Sequence, residues 1–276
     1  MKTHLPFFLR HRAVAVAVLT LLGALPPAWA DEPAKSFTEM IDKVALVPPG
    51  RHESELLAKV TAAVAHLKRL DLPEAHQAVN EALQLDPRNS QLHFLNGFVY
   101  HLQARQGDTQ KGEMALEGYQ QALRIDPSNW IAQEFMGLAH LELKQFDKAK
   151  LAFSDVLQLT PDSAMSIYAL MVSSYLTGDA KTACAMADQF RQVAAAPSRN
   201  FLRSSIAVYG SCGNFAQAEA MRSAFVQHGA EGLEVDRTDR RLAQWKAVYR
   251  ASGGKAPDAI RTAPPSANAD ADAAGR

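Results

Sequence analysis

Ala122-Leu123-Arg124-Ile125-Asp126-Pro127 recurs with little change as Ala82-Leu83-Gln84-Leu85-Asp86-Pro87 and as Val156-Leu157-Gln158-Leu159-Thr160-Pro161. Proline lacks an amide donor and its ring clashes with the preceding helical turn, so each phrase marks the stop of a helix. Pro127 and Pro161 stand 34 positions apart, and Pro87 and Pro127 stand 40 apart. Short polar residues follow the first two stops, Asn89-Ser90 and Ser128-Asn129, and are of the types that cap the next helix. Helices that stop and restart at a near-constant interval define a repeat whose units stack on their neighbours.

The spacing inside the copies repeats as well. Copy three carries Gly137, Ala149, Phe153 and Pro161; copy two carries Gly97, Tyr100, Ala115, Tyr119, Ala122 and Pro127; copy one keeps Ala63, Ala75, Ala82 and Pro87. Antiparallel helices approach closely only where small residues sit at the crossing, and a large side chain then fills the space beside it. With the 34-residue period, these positions resemble the tetratricopeptide repeat family. The resemblance implies an all-α fold, a right-handed helical-hairpin solenoid of about five tetratricopeptide-type units with a C-terminal capping helix.

Two later units lack the Leu-Asp-Pro ending, which leaves their frame open. Residues 164–198 hold Ile167, Tyr168, Leu170, Met171 and Tyr175, a turn at Thr177-Gly178-Asp179, then Ala183 and Phe190. Residues 199–229 hold Ile206 and Tyr209, then Gly213-Asn214-Phe215 and Ala218, paralleling Lys144-Gln145-Phe146 and Ala149. An amphipathic helix near Glu234 to Ala251, with Leu242, Trp245 and Tyr249, would cover the open end of the stack. In copy two, Gly97 to Ala115 spans 18 positions where Gly137 to Ala149 spans 12. The added stretch around Gln103 to Gly112 is either a partner contact or neutral lengthening, since a longer loop costs little closure entropy.

Both ends read differently. Lys2, Arg10 and Arg12 precede an apolar run from Ala13 to Leu25, then Pro26-Pro27, Ala28-Trp29-Ala30 and Asp31-Glu32. Basic start, short apolar middle and small residues before the cut form an export signal, with cleavage between Ala30 and Asp31. The expected organisation is 1–30 signal peptide, 31–52 N-terminal segment with a short helix over Ser36 to Val47, and 53–230 repeats. A capping helix over 231–252 and a disordered tail over 253–276 complete it. The 276 residues balance 29 Lys+Arg against 29 Asp+Glu, but the signal holds three bases and no acid. Its removal leaves 26 basic and 29 acidic residues, a mildly acidic periplasmic chain without the basic stripe that nucleic acid requires.

The family's first helices line a concave groove, which the resemblance maps to Leu57, Val60 and Val64, then Phe94, Phe98 and His101. Ile131, Glu134 and Leu138 follow, and then Met165, Tyr168, Val172 and Tyr175. Phe94, Phe98, His101, Ile131, Glu134, Met165, Tyr168 and Tyr175 are the candidate binding residues, suited to a peptide or helix with hydrophobic anchors. The alternative is that several of them, Val60, Val64 and Leu138 above all, are simply core. Resemblance to exported repeat proteins, including tight-adherence pilus accessory proteins, implies an adaptor that assists assembly of a pilus or secretion system. The second reading is a regulatory or targeting subunit for a cell-wall enzyme. No stable membrane insertion is expected once the signal is removed.

Cys184 and Cys212 fall on helices expected to be adjacent and antiparallel. Either they form a disulfide in an oxidising compartment or they are two buried thiols. His66, His76, His93, His101 and His140 are scattered, without the spacing of a helical zinc site. Neither a nucleophile elbow nor a phosphate loop nor a dinucleotide fingerprint is present. The chain therefore reads as no enzyme, with no cofactor and no metal.

Overall fold

A computed structural model describes residues 53–108, 110–194 and 197–254. The export signal with its Ala30–Asp31 junction, the segment 31–52 and the tail from residue 255 lie outside the described residues. Among the described residues there are eleven helices and no strand. In order they are α1 (Glu53–Arg69), α2 (Leu72–Leu85), α3 (Ser90–Arg105), α4 (Lys111–Ile125), α5 (Trp130–Glu142) and α6 (Phe146–Leu159). Next come α7 (Ala164–Leu176), α8 (Ala180–Val193), α9 (Arg199–Ser211), α10 (Phe215–Gln227) and α11 (Leu233–Ala251). The all-α, tetratricopeptide-type fold expected from the repeats is the fold observed.

The punctuation of the sequence sets the helix ends. Helices α2, α4 and α6 stop at Leu85, Ile125 and Leu159, each two residues before its proline. Side chains of Asn89, Asn129, Ser163, Asp179, Ser198 and Asn214 accept backbone N–H groups from the first turns of α3, α5, α7, α8, α9 and α10. Each such cap satisfies at least one donor that the helix cannot, two in the case of Asn89, and contributes about 1 kcal/mol. Between paired helices the backbone turns through the left-handed region just before the next N-cap. Gly178 and Gly213 do so at φ 81° and 77°. Leu70 and Lys144 occupy the same place in earlier repeats at φ 60° and 57°, where a β-carbon is penalised.

The described residues divide into two compact units, one ending at Lys144 and the other beginning at Gln145, so the boundary runs through the third repeat of the sequence. In the first unit, α3 and α4 meet backbone to backbone. A β-carbon on Gly118 would stand 2.5 Å from the Cα of Gly97, and one on Gly97 would stand 2.9 Å from the Tyr119 ring. The small and large positions of the motif are therefore the crossing itself. Around it Leu92, Leu95, Val99, Ala115, Tyr119 and Ala122 are buried, as are Val60, Ala63, Leu67, Ala75 and Val79 of the preceding hairpin. Each fully buried Leu, Val or Phe of this kind contributes roughly 1.5–3 kcal/mol.

The lengthened stretch of copy two is only partly a loop. Residues Gln103 to Arg105 extend α3 by most of a turn, and Lys111 and Gly112 already belong to α4. Gln103, Gln106, Asp108 and Lys111 join His76 and Tyr100 around a shallow cleft of about 390 Å³. Burial, aided by the Lys111 charge, lowers the pKa of His76 and keeps its ring neutral.

In the second unit Phe153, Ile167, Phe201, Leu202, Ile206, Tyr209 and Phe225 form the interior. Cys184 of α8 and Cys212, the residue that ends α9, form a disulfide with Cα atoms 6.7 Å apart. It ties the fourth hairpin to the fifth. Helix α11 then lies on α9 and α10, with Thr238, Leu242, Trp245 and Tyr249 buried.

Candidate protein-binding face

In the first unit the candidate side chains are drawn into the interior. Phe94 is 1% exposed and Phe98 5% exposed. Their rings lie nearly parallel at 6.0 Å, and Phe135 of α5 meets both edge-on at 5.4 and 5.3 Å. Tyr119 of α4 completes the cluster, 5.7 Å from Phe94. Aromatic pairs at these separations add about 0.5–1.5 kcal/mol beyond their burial. The cluster packs α3, α4 and α5 on one another. Glu134 is likewise buried, and Ile131 is half-buried against the cluster.

His101 is buried as well. Its Nδ1 pairs with the Tyr119 hydroxyl at 2.9 Å and its Nε2 with Glu142 Oε2 at 2.8 Å. The other oxygen of Glu142 accepts from Arg105, whose position exists because α3 is lengthened. Burial raises the Glu142 pKa, but His101 and Arg105 together outweigh it and hold the carboxyl below its usual range. Burial pushes the Tyr119 phenol well up, and Glu142 adds to it. The chain Tyr119–His101–Glu142–Arg105 is thus a polar clamp across three helices, with its ionised members paired as burial demands.

The second unit arranges its first helices differently. Tyr168 of α7 and Ser204 of α9 share a hydrogen bond at 3.0 Å, 36 residues apart. Arg199 pairs with Glu234 of α11, 35 residues on, and Trp245 rests on Gly210 at the same offset. These constant offsets place α7, α9 and α11 side by side and parallel, one repeat length apart. Helix α11 therefore occupies the place that the first helix of a sixth repeat would take.

Gly210 matters to that row because it carries no side chain. A β-carbon there would stand 2.9 Å from Trp245 Cδ1. Over this gap the indole reaches Tyr175 of α7. The indole N–H lies beside the phenol without a well-formed hydrogen bond. Burial raises the Tyr175 phenol, against the Arg241 guanidinium and the Trp245 indole next to it. Tyr168 is pushed up to about 12 by burial, against the Ser204 hydroxyl and Arg203. Its ring packs on Phe190 at 5.8 Å and Phe201 at 6.4 Å.

The expected groove set therefore separates. Phe94, Phe98, His101 and Tyr168 pack inside their units, because the neighbouring first helix brings Phe135, Glu142, Phe201 or Ser204 onto them, and Glu134 is buried as well. Ile131, Met165 and Tyr175 keep partial exposure. Sequence reasoning alone misses Arg203, Arg241 and the meeting of Trp245 with Tyr175. The 35-residue offset from Gly210 to Trp245 is the signal that points to them. Among the described residues no cluster of three His, Cys, Asp or Glu side chains is placed to hold a metal ion, and no helix is long and apolar enough to cross a membrane.

Paired helices, left-handed interhelical turns, small residues at the crossings and a parallel row of first helices define a tetratricopeptide-type repeat fold. Solved structures share it. PilF of Pseudomonas aeruginosa superposes with a TM-score of 0.56 at 16% identity, over 75% of this chain and 96% of PilF. PilW, a widely conserved type IV pilus biogenesis factor, gives 0.55 at 14% identity, over 82% of this chain and 97% of PilW. MamA of Desulfovibrio magneticus RS-1 gives 0.56 at 14% identity, over 62% and 93%. No protein-family model matches the sequence, and no curated protein matches it.

Proposed function

We propose that this chain is a periplasmic adaptor that binds a protein partner on the first-helix faces of its repeats and assists assembly of an envelope machine such as a pilus. The single observation that carries the reading is the row α7–α9–α11. There, Met165 and Tyr175 of α7 keep partial exposure, and Arg203 of α9 and Arg241 of α11 have no carboxylate partner among the described residues. A parallel row of helix faces suits recognition of an extended segment or helix more than chemistry on a small molecule. Likeness of fold to PilW, a pilus biogenesis factor, supports the choice of machine by analogy.

Export is supported by the signal pattern of residues 1–30 and by the Cys184–Cys212 disulfide, since such bonds persist in oxidising compartments. Once the signal is removed, no part of the proposed role requires a membrane span or a cofactor. The test is co-purification from an envelope extract with the mature protein, paired with mass measurement of its N-terminus. Recovery of a defined envelope protein, and a chain that begins at Asp31, are the expected results. Retention of Met1–Ala30 would remove the periplasmic placement, and recovery of no partner would remove the adaptor role.

A further inference from the structure

Helix α1 opens the described stack with one face bare. In the register set by Ala63, Gly97 and Gly137, the residues five before and two after are Ala58 and Ala65 of α1, Leu92 and Val99 of α3, and Ala132 and Ala139 of α5. Those of α3 and α5 are at most 2% exposed, because the preceding hairpin lies over them. Ala58 is exposed and Ala65 half-exposed. The chain just ahead of α1 has the sequence of a second helix. Val44-Ala45-Leu46-Val47-Pro48 keeps an apolar residue two and four places before its proline, as Leu83, Leu85 and Pro87 do. Ser36 and Glu39 have the spacing of a capping box, and Phe37, Met40, Ile41 and Val44 have the spacing of one helical face.

The contacts of the later second helices show where that face would turn. His76, eleven residues before Pro87, meets Tyr100 of the next first helix at 4.8 Å. Tyr119, eight residues before Pro127, meets Phe135 of the next first helix at 6.3 Å. Phe37 and Met40 hold these two places before Pro48. Twelve and five residues before the proline, α4 carries alanines that face its own first helix. A β-carbon on Gly97 would stand 2.8 Å from the Ala115 carbonyl, and the Ser90 hydroxyl donates to the Ala122 carbonyl at 2.9 Å. Before Pro48 those places are Ser36 and Lys43. Polar side chains suit them where no first helix lies alongside, and Pro26-Pro27 interrupts the stretch in which one would fall.

We propose that residues 37–46 form the second helix of an incomplete leading repeat and dock on the bare face of α1, over Ala58, Ala62, Ala65 and His66. Phe37 then meets His66, which holds in copy one the place of Tyr100. Ten helical residues span about 15 Å, enough to cover the roughly 10 Å from Ala58 to Ala65. Six residues, 47–52, make the turn into α1, against four in the turns before α3 and α5. The helix closes the leading end of the stack and removes that end as a surface for a second copy of the chain. The proposal is independent of the adaptor role.

The test uses the purified chain from Asp31. A photo-crosslinking phenylalanine analogue in place of Phe37, irradiated in dilute solution, is expected to link within one molecule to a peptide from α1, as mapped by mass spectrometry. A link outside α1, or none, overturns the proposal. So does a link between two molecules with a light-scattering mass that doubles as concentration rises, which would give the face to a second copy. Amide exchange supplies an independent readout. Residues 37–46 and α1 are expected to exchange at least about tenfold faster in Met40→Glu/Val44→Glu than in the wild type, with the second unit unchanged. Thr38→Gln/Asp42→Gln, on the polar face, leaves both segments as protected as before. Should the glutamate variant lose protection throughout, Met40→Ala/Val44→Ala replaces it. Equal exchange of wild type and apolar-face variant overturns the proposal.

Discussion

Trp245 lies on the bare Cα of Gly210, thirty-five residues earlier, so that the last helix is seated by the absence of one side chain. Valine at 210 would place its β-carbon inside the contact distance of the indole, and overpacking of this kind costs about 1–3 kcal/mol. In the chain from Asp31 with Trp130→Phe, where Trp245 is the one tryptophan left, Gly210→Val is expected to shift the Trp245 emission to the red and to lower the melting temperature. An unchanged spectrum would mean that α11 is held by its ion pairs alone.

Glu142 gives the first unit a defined acid response. Its folded pKa lies below the ordinary value of about 4.3, so its contribution is fully present above that value and is lost as pH falls through the depressed one. Glu142→Gln leaves Arg105 and His101 without their anion and is expected to cost about 3 kcal/mol near neutral pH. Urea melts at neutral pH and at pH about 3 should show the gap between variant and wild type closing in acid. A gap that stays constant would place the cost in packing.

Reduction should act locally. Closing a loop of 28 residues stabilises by roughly 3–4 kcal/mol in the chain-entropy treatment. Dithiothreitol, or the Cys184→Ser/Cys212→Ser pair, is expected to raise amide exchange in α8–α11 and to leave α1–α5 unchanged. Uniform loss of protection over both units would contradict this.

Lys144 takes a backbone conformation that glycine takes in later repeats, at φ 57° and in an exposed turn. Lys144→Gly is expected to stabilise by up to about 1 kcal/mol and Lys144→Val to destabilise by more. A chemical denaturation midpoint for each variant decides it. A lower midpoint for the glycine variant would show that the strain is compensated elsewhere.

Much of the fold is legible in the sequence because its determinants are local. Pro87, Pro127 and Pro161 stop helices wherever they occur, and the sizes of Gly97 and Tyr119 are enough to mark a close crossing. The site is less legible because exposure is decided by the neighbouring helix. Phe94 and Tyr168 stand at groove positions of the repeat, yet Phe135 and Phe201 arrive from the next first helix and cover them. Arg105 cannot be paired with Glu142 from spacing alone, since its partner depends on how far α3 continues into the lengthened stretch. Trp245 reads as an end cap; that it also reaches Tyr175 follows from the missing side chain at Gly210, which matters only where α7, α9 and α11 lie in one row.

The central claim is that a partner docks on the first-helix faces. A photo-crosslinking amino acid at Met165, half-exposed on α7, tests it most directly when compared with the same group at Leu159, which is 53% exposed on α6. Irradiation of intact cells is expected to yield a discrete adduct with an envelope protein from position 165 and none from position 159. An adduct from position 159 alone, or none from either, would contradict the account.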